Sequence, residues 1–290
     1  MVWLILSIIS TTGIYVSFKI INNTKTPLVN ALIINYLTAA ILGFLIIKSF
    51  PVKEIINSGW LWLGAIIGIL FIVVFFAVGV SSEKAGLSIT TVASKMSLII
   101  PMLFSIIVFH EKINPIKVIS IILAVISVCL SVFKKNDKSV IAKNQFFLLP
   151  FAIFLGMGIG DSLIIYSKEI YINELLIPVF TSTIFLFSFL TGLAYTIIKT
   201  SFIRGYLNLN SWIYGIMLGI FNFGSTYFMI KTLNSGIFIN SIVYGITNIC
   251  VIALSAMIGV FFFKEKLSKV NYIGLILSIF TIVLLAYSDF

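Results

Sequence analysis

Residues 84–117 read KAGLSITTVASKMSLIIPMLFSIIVFHEKINPIK. The stretch opens on Lys84-Ala85-Gly86, runs apolar to Phe109, turns through His110-Glu111-Lys112-Ile113-Asn114-Pro115, and is apolar again from Ile116. An apolar run of about twenty residues is what an α-helix needs to cross the ~30 Å hydrocarbon core of a bilayer. Lys95 stands near its middle, with Thr90, Thr91, Ser94 and Ser97 around it. Ten residues in, at ~1.5 Å per residue, the side chain starts roughly 15 Å from either face. A cation at that depth costs ~2.5–3.5 kcal/mol on insertion scales, so Lys95 is predicted to face a wet cavity or a partner.

The same grammar returns at residues 240–270. A span carrying Asn240, Tyr244 and Asn248 is followed by Phe263-Lys264-Glu265-Lys266-Leu267-Ser268 and another span. Glu111 and Glu265 are 154 positions apart. Gly64 and Gly68 match Gly215 and Gly219 at an offset of 151, and Ser17-Phe18-Lys19 in the first span resembles Ser167-Lys168 in the sixth. The ordered series predicts an internal duplication, residues 1–133 and 146–290, joined by a polar linker at 134–145.

The surroundings of these motifs are uniformly apolar. The chain is 60% hydrophobic and 10% charged, against about 25% charge in soluble domains. It reads as an all-α integral membrane protein. Unbroken apolar runs exclude the alternating pattern of membrane β-strands. The net charge of +10 is scattered between spans, where snorkelling and headgroup contact account for it, so no nucleic-acid partner is expected. Cys129 and Cys250 lie within apolar spans and read as packing residues. The start, Met1-Val2-Trp3-Leu4, has no basic region or cleavage site and reads as an uncleaved first span.

Ten spans are predicted, near 2–21, 27–47, 59–80, 87–109, 115–133, 146–166, 175–198, 210–230, 237–263 and 269–288. Pro101 lies inside the fourth and predicts a kink with a freed carbonyl. Five helices per half is an odd number, so the second half enters the membrane in the opposite sense. Inverted repeats of this kind build transporters, with the site near the midplane. The connections on the side away from the termini carry more lysine and arginine, which by charge counting places both termini outside.

The candidate site residues follow from polarity at depth. Lys95, Thr91 and Ser94 come from span four, and Asp161 from Gly156-Met157-Gly158-Ile159-Gly160-Asp161-Ser162 in span six. Asn240, Tyr244 and Asn248 are spaced i, i+4, i+8 and share one face of span nine. Asn222, Asn35 and Tyr15 add polar groups in spans eight, two and one. Lys95 is assigned to substrate charge recognition and Asp161 to proton coupling. A helix count puts the two at depths differing by roughly 8 Å, enough to admit a small zwitterion. Glycine pairs 64/68, 215/219 and 156/160 read as packing motifs, and Trp3, Trp60, Trp62 and Trp212 as interfacial anchors. Glu111 and Glu265 are expected to fix their turns by capping the next helix or pairing with Lys112 and Lys266.

Phe109-His110-Glu111-Lys112-Ile113 and Phe263-Lys264-Glu265-Lys266-Leu267, in a ten-span chain of two halves, resemble the drug/metabolite transporter superfamily, EamA type. The chain departs from that pattern at Ser120, where an early glycine of the fifth helix is expected; Gly274 keeps it in the tenth. The resemblance implies a secondary-active exporter of small metabolites such as amino acids, often proton-linked, in the inner cell membrane, as monomer or homodimer, without a cofactor. It also implies cytoplasmic termini, against the charge count. A nucleotide-sugar, phosphosugar or nucleobase carrier of the same superfamily is the alternative. A passive channel or an intramembrane enzyme is further removed: the sequence has no HExxH or GxSxG and a single histidine, His110.

Overall fold

A computed structural model describes residues 1–24, 26–47, 55, 58–84, 94–111, 113–132, 148–198, 208–264 and 268–287. Thr91, the 134–145 linker, Lys112 and the Glu265-Lys266 turn lie outside the described residues. Those residues form ten α-helices: α1 (Val2–Asn23), α2 (Leu28–Ile46), α3 (Leu61–Lys84), α4 (Ile99–Val108), α5 (Pro115–Val132), α6 (Leu148–Ile170), α7 (Ile177–Ile198), α8 (Leu209–Asn234), α9 (Asn240–Phe261) and α10 (Lys269–Tyr287). Seven are long and apolar enough to cross a membrane; α4, α5 and α10 contribute shorter apolar segments. The chain is an all-α integral membrane protein.

Helix is the form these residues must take, because a spanning segment has to satisfy its backbone internally. Polar side chains turn inward for the same reason. Ser7, Thr12, Ser17, Asn35, Thr181 and Ser188 are buried, while Ile273, Ile276, Phe280 and Val283 of α10 are exposed. Many of the buried hydroxyls donate back to their own helix, as Thr12 does to the Ile8 carbonyl and Ser17 to that of Gly13.

The chain divides into two compact units that are not the two halves in sequence. The first comprises residues 1–76 and 166–235, the second 77–165 and 236–290. Each unit draws helices from both halves. In the first, α8 packs on α1 and α2, and α2 on α7. Its core holds Ile14, Leu32, Tyr36, Phe185, Leu218 and Phe223. The glycines set the closest approaches. A Cβ on Gly219 would lie 2.6 Å from Thr38 Cβ and 2.7 Å from the Asn35 carbonyl; one on Gly68 would lie 2.5 Å from the Ile184 carbonyl. Trp60 corrects the expectation of an interfacial anchor. It is buried edge-on against Phe180, because the chain before α3 folds the ring onto α7, whereas Trp62 and Trp212 stay exposed.

In the second unit α5 packs on α10, and α9 on α4, α5 and α10. The two turns that precede α5 and α10 are alike. Among the described residues, His110 and Lys264 are the non-glycine residues with positive φ, at 51° and 54°, and they stand 154 positions apart, each just before a glutamate. The fifth helix of each half then starts on the same cap. Asn114 Oδ1 accepts the Lys117 N–H at 2.7 Å, and Ser268 Oγ accepts that of Asn271 at 3.3 Å. A side-chain oxygen three residues before the accepted N–H is the ordinary N-cap arrangement.

The glycine contacts make a contrast that can be measured. Gly219→Ala is expected to destabilise the protein by about 1–3 kcal/mol, since the added methyl meets backbone that cannot turn away. Gly64→Ala, whose Cβ meets nothing nearer than 3.7 Å, is expected within about 0.5 kcal/mol of neutral. Thermal melting of both variants in one detergent checks the order.

Candidate functional site

The site begins with a missing donor. Pro101 has no N–H, so the Ser97 carbonyl loses its i+4 partner. The Ile100 N–H takes that carbonyl instead at 3.0 Å, and the Lys95 carbonyl accepts from the Leu98 N–H at 3.4 Å. Ser97 Oγ donates to the Ser94 carbonyl at 2.7 Å. The α-helix is therefore interrupted at Ser97-Leu98, between a turn at 94–96 and α4. The break expected from Pro101 falls two residues after Lys95.

Gly158 brings the second charged group in. A Cβ there would sit 2.4 Å from the Ile100 side chain, so α6 lies directly against the start of α4. One helical turn further on is Asp161. α6 continues to Ile170, so Asp161 is well inside the helix and not at an early end. Lys95, with 3% of its surface exposed, and Asp161, which is partly open, lie within electrostatic range of one another.

α9 supplies the third wall. The Tyr244 hydroxyl donates to the Asp161 main-chain carbonyl at 3.3 Å, and Asn248 Nδ2 donates to the Tyr244 carbonyl at 3.1 Å. Asn240, one turn before Tyr244, is buried. On the α5 side, Cys129 Sγ lies 3.4 Å from Met96 Sδ, beside Lys95. Lys95, Ser94, Asp161, Asn240, Tyr244 and Asn248 thus all belong to the second unit.

Asn222, Asn35 and Tyr15 belong to the first unit. Asn222 Nδ2 donates to Asn35 Oδ1 at 3.1 Å, both side chains buried where α8 meets α2. Here the polar groups mainly meet each other, as Thr11 Oγ1 and Ser225 Oγ do at 2.7 Å between α1 and α8. Tyr15 is half-buried.

Sequence reasoning missed a buried ion pair. Glu111 pairs with Lys117, Oε2 to Nζ 2.8 Å, and Lys117 is completely buried. Ser105 Oγ donates to Glu111 Oε1 at 2.5 Å, and the Ser241 N–H and hydroxyl donate to its two oxygens. Glu111 lies in the turn between α4 and α5. Burial pushes its carboxyl up, but the bonds from Lys117, Ser105 and Ser241 together outweigh that and hold it below the usual range. The signal available was the spacing: a glutamate in the turn, an Asn-Pro helix start, and a lysine one turn into the next helix.

Glu111→Ala is expected to destabilise by about 3–5 kcal/mol, because it leaves the Lys117 ammonium buried without a counter-charge. Glu111→Met with Lys117→Met is expected to recover most of that loss. The Glu111 carboxyl is shifted downward, so its contribution is full above the ordinary carboxylate pKa of 4.5 and fades as pH falls through the lowered value. Melting curves of the wild type and Glu111→Ala should therefore converge in acid. Gly158→Ala, which forces α6 away from Ile100, is expected to lower the melting temperature as well.

Comparisons with known proteins bear on this arrangement. Residues 1–133 match the EamA-like transporter family. A protein of Haemophilus influenzae (strain ATCC 51907 / DSM 11121 / KW20 / Rd), described as an uncharacterized protein, is 28% identical over 295 residues, covering 99% of this chain and 98% of its own. A crystal structure of another protein matches with a TM-score of 0.70 over 98% of this chain and 97% of that one; at 12% identity this likeness is one of fold. Over its residues 1–133, this multi-pass membrane protein is similar to the EamA-like transporter family.

Proposed function

We propose that the chain is a secondary-active transporter that exports small organic metabolites, amino acids among them, by alternating access of two inverted halves. Its seat is the inner cell membrane, as monomer or homodimer. The observation that carries this reading is the approach of Lys95 and Asp161, an ammonium and a carboxylate from separate helices, with Tyr244 on the Asp161 carbonyl.

The chemistry follows from charge balance in a medium of low dielectric. With Asp161 ionised and Lys95 protonated, each group offsets the other's field. A small zwitterion answers both charges at once, its carboxylate toward Lys95 and its ammonium toward Asp161. The ammonium then occupies the place a proton takes when Asp161 is neutral. Substrate and proton exclude one another at that carboxylate, which is the condition for exchanging one against the other across the membrane. Asn248, Asn240 and Ser94 supply neutral donors and acceptors around the pair. Lys117, the other deeply buried cation among the described residues, is already committed to Glu111, which favours a zwitterion over a multiply charged phosphate.

The test is transport in reconstituted vesicles with a panel of labelled amino acids and an imposed pH gradient. Lys95→Ala is expected to reduce transport at least tenfold, about 1.4 kcal/mol of lost charge recognition. Asp161→Asn is expected to abolish accumulation driven by the gradient while leaving substrate-for-substrate exchange measurable. Unchanged transport in both variants removes this site.

A further inference from the structure

We infer that Glu111 is a positioning residue for the Lys95–Asp161 site, acting through the start of α9; the inference rests on the site assignment proposed above. α9 begins without a cap of its own. Its N-cap residue, Ile239, has no side-chain oxygen to offer, and the first-turn N–H groups of a helix have no partner within the helix. The Ser241 N–H is met from elsewhere in the chain, by Glu111 Oε1 at 3.3 Å, and the Ser241 hydroxyl donates to Oε2 of the same carboxylate. A carboxylate at a helix N-terminus also sits at the positive end of the helix dipole. Lys117 and Ser105 fill the remaining positions on the two oxygens. One side chain thereby joins the end of α4, the start of α5 and the start of α9. Ser105, Lys117 and Ser241 are fully buried, and Glu111 between them is partly buried.

The link to the site is short. Tyr244 is three residues beyond Ser241, on the same side of α9 and about 4.5 Å along its axis. Its bond to the Asp161 carbonyl is 3.3 Å long, near the limit for an O–H donor. A small tilt of α9 about its first turn breaks that bond. The carboxylate that holds the first turn thus also holds the Tyr244 hydroxyl on α6, beside the charged pair.

Two variants weaken the link without leaving a lone buried charge. Ser241→Ala removes the hydroxyl donor and keeps the Glu111–Lys117 pair; Glu111→Gln with Lys117→Met removes both charges together. The readout is ¹⁹F NMR of the full chain carrying 3-fluorotyrosine, with Tyr244→Phe identifying the Tyr244 resonance among the eleven tyrosines. The expected result is a displaced or broadened Tyr244 resonance in each variant, with Tyr36 and Tyr227 of the first unit unmoved. A Tyr244 resonance that stays in place in the folded variants overturns the inference. So does a shift of all tyrosine resonances together, which marks general loosening. If the double variant does not fold, Ser241→Ala alone decides. The readout needs no substrate, so loss of the transport assignment through Lys95→Ala leaves this result standing or falling by itself.

Discussion

The hydrocarbon core of a bilayer offers no hydrogen-bond partner, and most of this structure answers that constraint. Each polar group the helices carry must be met by the protein or by a wet space inside it. The bland cases close locally. Thr181 donates to the Ile177 carbonyl within α7, and Ser188 to the Gly68 carbonyl of α3, where the absence of a side chain lets the helices meet. The Asn35–Asn222 bond fastens α2 to α8 in the same way. What stands out is a lysine and an aspartate on neighbouring segments, within electrostatic range of one another, with the Tyr244 hydroxyl donating to the Asp161 main-chain carbonyl.

Two backbone features create that cluster. Pro101 withdraws one donor, and the helix is interrupted where the Ser97 carbonyl has to find another. Gly158 withdraws one side chain, and α6 comes up against α4 at Ile100. Neither residue is polar, and neither touches a ligand in the proposed mechanism. Their effect is to place an ammonium and a carboxylate within electrostatic range of one another inside the helices, where such an interaction is worth more than on a surface.

The related turns show how one backbone plan takes on different chemistry. His110 and Lys264 share a left-handed conformation, and Asn114 and Ser268 share the capping position after it. Beyond the cap the halves diverge. Lys117 goes to Glu111, while Asn271, 154 positions later, donates to the Leu130 carbonyl of α5 at 3.1 Å. Ser105, which serves Glu111, has Gly259 as its counterpart. The turn conformation depends on local sterics and capping, which many residues satisfy. The ion pair needs particular side chains, and they are present in one half.

Much of the fold was legible before any coordinates. Apolar run lengths located the ten helices to within a few residues, except at the fourth, where Pro101 announced the break but not that regular α-helix would resume only at Ile99. Lys95 and Asp161 were legible as candidates because charge at membrane depth is costly wherever it occurs. Trp60 was misplaced because a tryptophan near a span end reads alike whether it faces headgroups or folds onto α7. The pairing of polar groups was not legible: Asn222 and Tyr244 look equivalent as polar residues in spans, yet one meets Asn35 and the other the Asp161 carbonyl. Sequence by itself therefore determined that the chain crosses the membrane, where its helices run, and which residues are too polar to face lipid, since those follow from transfer free energy along one dimension. Only the tertiary structure decided which of them meet, that Glu111 takes Lys117 and the start of α9, and that the compact units cross the two halves, because those depend on contacts between helices far apart in the chain.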